Sequence, residues 1–191
     1  AVAATGDIPI LATSITEYGV ALDIDNFSGV TGINVSGTSD LAPLSEQAAM
    51  VKELFPDAKK VGLLYCSAEA NSIYQVKVVG EELAKLGYET EDFAFTDSND
   101  VASVSALAAS ECDVIYIPTD NTAAAYTETI ANEVIPANVP VIAGEEGICS
   151  GCGVATLSIS YEELGKTTGQ MAAKILKGEA KIGEMKIEYD P

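Results

Sequence analysis

The chain has 191 residues, enough for one large domain or two small lobes, and 48% of them are hydrophobic, which supports a buried core and excludes disorder. Its 10 basic residues face 29 acidic ones, a net charge of −19, so the clustered Lys and Arg that nucleic-acid binding needs are missing. Histidine is absent, which rules out a Ser-His-Asp triad or a Cys-His pair, and no apolar run approaches the roughly 20 residues that span a bilayer.

Residues Ala1–Gly6 read as the last turn of a helix with its terminating glycine, so an upstream segment is expected before residue 1. A strand at 8–12 runs into the polar loop Thr13–Glu17, and a short strand at 30–35 runs into a loop at 36–40. Leu44, Ala48, Val51 and Leu54 then recur at helical spacing until Pro56 stops the helix. A strand at 61–65 opens a βα series. Its helix starts at Ser72, with Gln75 completing a capping box, and ends at Gly87. A strand near 88–95, a helix at 101–109 capped by Asn99 or Asp100, a strand at 113–117, a helix near 122–135 and a strand at 139–143 follow. After a Gly/Cys loop, a strand at 154–159 meets a second capping box, Ser160–Glu163; the last helix reaches about Lys177, and 185–189 forms a final strand.

Strands that alternate with helices predict an α/β fold with a parallel sheet and right-handed crossovers. Residues 56–152 make one near-complete βαβαβαβ unit, while the flanking pieces hold too few strands for a sheet of their own. The expected division is therefore two-lobed. It puts 1–42 in a partial first lobe, 43–152 in the second, 153–182 returning to the first, and 183–191 as a terminal strand near the hinge or second lobe.

Three strand ends run straight into polar residues that can start helices: Tyr65 into Cys66–Ser72, Ile117 into Pro118–Asn121, and Ala143 into Gly144–Glu146. Open parallel sheets bind ligands at the carboxyl ends of their strands. Ser67, Asn71 and Ser72 are neutral donors at a helix start and suit a carboxylate, while Glu69 argues against a phosphate there. At the second strand end Thr119 precedes Asp120, which suits an ammonium, and Asn121, which suits either polar end; of Glu145 and Glu146 one can face the cleft and hold a cation while the other faces solvent, the plain alternative for each being a surface carboxylate. The plain alternative for Asn71, Ser72, Asp120 and Asn121 is helix capping. Donors beside carboxylates describe a site for a zwitterion such as a free amino acid. Tyr18, Tyr65, Tyr74, Tyr116 and Tyr161 lie where they can line an apolar pocket, or simply sit in the core or at its rim. No Gly-rich phosphate loop occurs, so no nucleotide cofactor is expected. Cys149 and Cys152 have CxxC spacing, but two glycines and a strand follow them. That context favours a plain loop with free thiols or one local disulfide over a metal or redox site.

At these residues the chain resembles a known family. Ile8–Ile10, Val30–Gly32, Ser39–Asp40, Ala58–Gly62, Ser67–Asn71, Ile117–Asn121, Ala143–Glu146 and Tyr161–Gly165 are similar to the ABC-transporter substrate-binding lipoproteins that include tryptophan- and tyrosine-binding members. The resemblance covers essentially the whole chain, with Pro-Thr-Asp-Asn and Ser-x-Glu-Ala-Asn as its specific parts. It implies a type I periplasmic-binding-protein fold with an incomplete first lobe and ligand between the lobes. It also implies a lipid-anchored extracytoplasmic protein that closes like a hinge and hands its ligand to a membrane permease. No cofactor is implied. The candidate ligand residues are Ser14, Thr16, Glu17, Ser39, Ser67, Glu69, Asn71, Ser72, Thr119, Asp120, Asn121, Gly144, Glu145 and Tyr161. Family members carry roughly a hundred further residues upstream, in line with ordinary domain sizes. Losing early strands exposes a sheet edge, so self-association of the chain or a segment before residue 1 is expected. Two other classes stay open: an enzyme or redox protein using Cys149/Cys152 or Asp120/Glu145, and a ligand sensor without transport.

Overall fold

The computed structural model describes residues 1–190, which divide into two compact units: residues 1–41 with the segment from Ile159 onward, and Ala42–Ser158.

The first unit holds β1 (Ile10–Ala12), α1 (Tyr18–Leu22), β2 (Val35–Ser39), and, after the chain returns, α8 (Tyr161–Leu176) and β8 (Glu188–Tyr189). The strands are parallel in the order β1-β2-β8, with Ile10 opposite Val35 and Thr38 opposite Glu188. All five residues of the central β2 are buried. Its polar sequence, Val-Ser-Gly-Thr-Ser, reads as a loop, and the expected strand at 30–35 belongs instead to residues 35–39. The hydroxyls are what make this possible, because each finds a partner inside the unit: Ser36 and Ser39 bond to backbone carbonyls, and Thr38 pairs with Thr168 of α8. Gly37 has a φ of 150°, and a Cβ there would fall 1.8 Å from the Ala12 carbonyl oxygen. That glycine therefore marks a close strand–strand approach rather than a turn. Tyr18, Val35 and Ile187 form the core, with Ile10, Ala12, Leu22 and Phe27 packed on it.

The second unit holds α2 (Leu44–Leu54), β3 (Lys60–Cys66), α3 (Ala70–Lys85), β4 (Glu89–Phe95), α4 (Val101–Glu111), β5 (Val114–Ile117), α5 (Asn121–Ala125), α6 (Thr127–Val134), β6 (Val141–Ala143), α7 (Glu146–Cys152) and β7 (Ala155–Thr156). Its five strands are all parallel in the order β4-β3-β5-β6-β7. β5 and β6 are continuous buried runs, aliphatic apart from Tyr116, as expected of strands covered on both faces. Alternate strand residues serve the two faces. Leu64, Cys66, Ile115, Ile117, Val141 and Ala143 join the core with residues of α4, α6 and α7. A Cβ at Gly80 on α3 would fall 3.2 Å from the Leu63 side chain, and Tyr116 bonds to Gln47 on α2, on the other side. The edge strand β4 buries Phe93 and Phe95 and exposes Glu89, Glu91 and Asp92, a charged edge that resists further pairing.

Several expectations move. The expected boundary at 152/153 shifts to 158/159, because Ala155 and Thr156 pair with Ile142 and Ala143 and so extend the second sheet. The terminal strand lies in the first unit, beside β2. The Gly/Cys loop is the helix α7, whose N-terminus Glu145 caps. The helix expected near 122–135 breaks at Tyr126 into α5 and α6. The helix expected from Ser72 begins at Ala70: Ser72 bonds to Asp120 of the next loop, and Gln75 divides its amide between Thr119 of that loop and the Asn71 carbonyl of its own helix.

Candidate functional site

β3, β5 and β6 are neighbours, so the loops that leave their carboxyl ends lie side by side. Two of these loops exchange carboxylates. Glu69, from the β3 loop, accepts from the Asn121 N–H (3.0 Å), the Asn121 Nδ2 (2.7 Å), the Thr122 N–H (2.9 Å) and the Thr122 hydroxyl (2.8 Å). Asp120, from the β5 loop, accepts from the Cys66 N–H, the Ser72 hydroxyl and the Ala123 N–H, each at 2.7 Å. The amides add a second layer. Asn71 Nδ2 and Gln75 Nε2 both donate to the Thr119 carbonyl at 3.0 Å, and the Thr119 N–H donates to Gln75 Oε1. The two loops thus form one cross-linked platform.

The electrostatics follow from this exchange. Burial pushes the Asp120 carboxyl above the usual range, with the bonds from Ala123, Cys66 and Ser72 opposing and the Glu69 charge adding to the rise. At Glu69 burial also pushes upward, but the bonds from Asn121 and Thr122 together outweigh it and hold the carboxyl below its ordinary value. One side chain is left over: the Thr119 hydroxyl is buried with no hydrogen-bond partner among the described residues. Ser67 is exposed on the same edge, its hydroxyl donating to the Phe95 carbonyl.

Glu145 closes the third strand end by accepting the Gly147 and Ile148 N–H groups at the start of α7. Gly144 abuts the platform, since a Cβ there would fall 2.5 Å from the Thr119 nitrogen. The second-unit residues singled out from sequence are therefore brought together. Asp120, Glu69 and Glu145, however, spend their oxygens on capping and cross-linking.

In the first unit, Ser14, Thr16 and Glu17 follow β1, and Ser39 ends β2. Ser14 sits at φ 58°, with its N–H donating to the Thr38 hydroxyl. The Ser39 hydroxyl donates to the Thr16 carbonyl at 2.8 Å, and Glu17 caps α1 through the Val20 N–H. The Tyr161 hydroxyl lies 3.3 Å from a carboxylate oxygen of the buried Asp40.

Sequence reasoning missed Gln47, whose side chain bonds to Tyr116, Gly144 and Leu157. The signal was a glutamine three residues after Leu44 on the apolar face of α2.

A cavity of about 980 Å³ opens elsewhere on the same unit, at the amino-terminal edge of the sheet, lined by Pro56, Asp113, Pro140 and Val154, which precede four of its strands. None of the candidate residues lines it. The chemistry of the strand ends, rather than the size of the hollow, identifies the candidate site. Cys152 belongs to that far edge. All four cysteines are free. Burial pushes the Cys152 thiol up to about 12 and the Cys112 thiol up to about 11, and it raises Cys149 as well, so these three are not activated nucleophiles. No group of His, Cys, Asp and Glu able to hold a metal ion occurs among the described residues, and no helix among them is long and apolar enough to cross a membrane.

A family model described as ABC transporter substrate binding protein matches residues 1–189. The chain belongs to that family. A tyrosine-binding protein from Clostridioides difficile (strain R20291) is 33% identical over 187 residues, covering 96% of this chain and 53% of its own length. Among solved structures, an ABC domain in complex with L-Trp from Streptococcus pneumonia superposes with a TM-score of 0.90 at 31% identity, over 98% of this chain and 65% of that one. A ligand-free, open structure of a Clostridium difficile substrate-binding protein with adhesive properties gives 0.74 at 35% identity, over 99% of this chain and 63% of that one. The chain thus spans about half the length of the curated relative it matches. Its fold is α/β with parallel sheets, of the type I periplasmic-binding-protein kind, matched over part of the length of such proteins.

Proposed function

We propose that this protein is the solute-binding component of an ABC importer and that its ligand is a small zwitterion, an aromatic amino acid foremost. The observation that carries the proposal is the cross-linked platform at the carboxyl ends of β3 and β5, with the buried Thr119 hydroxyl left without a partner. A buried hydroxyl costs free energy unless something bonds to it. Two relatives support the ligand class, one named a tyrosine-binding protein and one a structure in complex with L-Trp. Ser67, Asn71, Thr119 and Asn121 supply the ligand's polar contacts, while Glu69, Ser72, Asp120, Gly144 and Glu145 hold them in place and set the negative potential that favours an ammonium. We assign the same ligand-contacting role to Ser14, Thr16, Glu17, Ser39 and Tyr161 at the strand ends and helix start of the first unit. Rigid positioning of this kind selects the ligand that satisfies every buried polar group. The protein works outside the cytoplasm as a membrane-anchored lipoprotein and delivers its ligand to a permease.

Calorimetry of the full-length protein tests this reading. L-tyrosine and L-tryptophan are expected to give saturable heats, and ribose none. No heat with any aromatic or aliphatic amino acid overturns the reading.

A further inference from the structure

Gln47 is wholly buried on α2, and its amide is fully employed. Nε2 donates to the carbonyls of Gly144 (3.1 Å) and Leu157 (2.9 Å), and Oε1 accepts the Tyr116 hydroxyl at 2.7 Å. The three partners occupy different strategic points. Tyr116 lies in β5, three residues before Thr119. Gly144 directly follows β6 and presses its backbone against Pro118 and Thr119. Leu157 directly precedes Ser158, the last residue of the unit, so its carbonyl stands where the chain leaves. Two further observations argue against Gln47 as generic core filling. Leu44, Ala48 and Val51, its neighbours on the buried face of α2, are apolar. Burial also raises the pKa of the Tyr116 phenol, so it stays a donor at any working pH. A buried amide with every donor and acceptor used fixes geometry as well as adding stability.

We infer that Gln47 is a positioning residue that ties the candidate ligand edge, through the Gly144 carbonyl, to the exit segment at Leu157. Ligand taken at Thr119 therefore also steadies residues 155–158. This deepens the function proposed above and rests on it.

The test combines calorimetry with amide hydrogen exchange on the full-length protein, using L-tyrosine and L-tryptophan as probes. Without ligand, Gln47→Met is expected to speed exchange at 144–146 and 155–158 while leaving β4 unchanged. With ligand, the wild type is expected to gain protection both at 119–122 and at 155–158. Gln47→Met should keep the first, lose the second, and bind about tenfold more weakly, the worth of roughly one hydrogen bond. Tyr116→Phe removes only the hydroxyl bond, leaves both carbonyl ties, and should bind within about twofold of wild type. Gln47→Glu guards against a variant that fails to fold. Its carboxylate cannot donate at neutral pH but regains one donor when protonated, so its affinity relative to wild type should recover as pH falls. A purely structural role would leave that ratio flat. Unchanged exchange at 155–158 in Gln47→Met, or a flat ratio in Gln47→Glu, overturns the inference. If neither amino acid binds the wild type, the proposed function fails, and the ligand-free exchange still decides the tie.

Discussion

The two ends of the second unit's sheet are built on opposite plans. At the carboxyl end, almost every polar side chain is committed to a neighbour: Glu69 to the start of α5, Asp120 back to the β3 loop, and Gln75 and Asn71 to Thr119. At the amino end lies a hollow of about 980 Å³ with mostly apolar walls, Asp57, Asp113, Asn138 and Ser150 being its polar members, and around it Leu54, Ile135 and Val154 are exposed. The amino end offers open space; the carboxyl end offers organisation. A site that selects a small polar ligand needs groups held still before the ligand arrives, and cross-linked hydrogen bonds supply that, whereas an open apolar hollow does not.

The sharpest way to break the comparison is to substitute on both ends. Asp120→Ala leaves the N–H groups of Cys66 and Ala123 and the Ser72 hydroxyl without their shared acceptor. The expected loss is about 3 kcal/mol, combining a lost helix cap with buried unsatisfied donors, and amino-acid binding should disappear with it. Ile135→Ser, on the rim of the amino-end hollow, should change stability by less than about 0.5 kcal/mol and leave binding untouched. Denaturant melts and calorimetry on the pair decide the matter. Equal effects would mean that the polar end is only scaffold.

Next in size is the pH response of Glu69. Its folded pKa lies below the ordinary value, so the carboxylate adds stability that is fully present above the unfolded value of about 4.3 and is lost as pH falls through the folded one. Asp120 has the opposite sign: its raised folded pKa means that ionisation costs stability as pH rises through that value. Glu69→Gln should cost about 1–2 kcal/mol at pH 7 and flatten the acid limb of the stability curve. Urea midpoints taken between about pH 3 and pH 7 will show it. An acid limb as steep as that of wild type would remove Glu69 from the clamp.

Much of this was legible before any coordinates. The βα alternation, the strand ends at Tyr65, Ile117 and Ala143, and the gathering of polar residues there all follow from periodicity and from helix-start chemistry. What sequence could not resolve was the destination of each polar atom. Ser72 and Gln75 have the spacing of a capping box, yet both side chains reach tertiary partners instead of capping each other: Ser72 donates to Asp120, and Gln75 bonds to Thr119 as well as to the Asn71 carbonyl of its own helix. The β2 segment was misread for a related reason. Its serines and threonine resemble a loop until α8 and the β1 loop supply partners for them. The Gly/Cys loop failed because Gly151 signals a turn locally, whereas it serves to let α7 approach Thr127 on α6: a Cβ there would fall 2.4 Å from that side chain.

A smaller effect sharpens the assignment of Thr119. Its hydroxyl is buried and unpartnered, so Thr119→Val, which keeps the shape, should be neutral or slightly stabilising, within about 1 kcal/mol. The same change should weaken amino-acid binding about tenfold if the hydroxyl meets the ligand. Melting and calorimetry must be read together. A variant that is both less stable and unchanged in affinity would give the hydroxyl a structural partner instead.

The smallest expected effect concerns the thiols of α7. Cys152 lines the amino-end hollow, is buried to 8% exposure, and donates through its Sγ to the Ile148 carbonyl. Burial dominates the rise of its pKa to about 12, with the charges at Cys149 and Glu145 adding to it. At neutral pH the thiol therefore stays protonated, and the thiolate is the form that reacts. Cys149 is less buried but is raised for the same reason, helped by Glu145 and Glu146. Iodoacetamide at pH 7 should therefore modify both slowly, at rates that climb with pH and do not level off below about pH 9. Because Cys152 faces the end of the sheet away from Thr119 and Asp120, saturating L-tyrosine should leave its rate unchanged. Rapid alkylation at neutral pH would revive a redox role for the CxxC pair. Protection by the amino acid would place the ligand in the apolar hollow and reverse the assignment of the two ends.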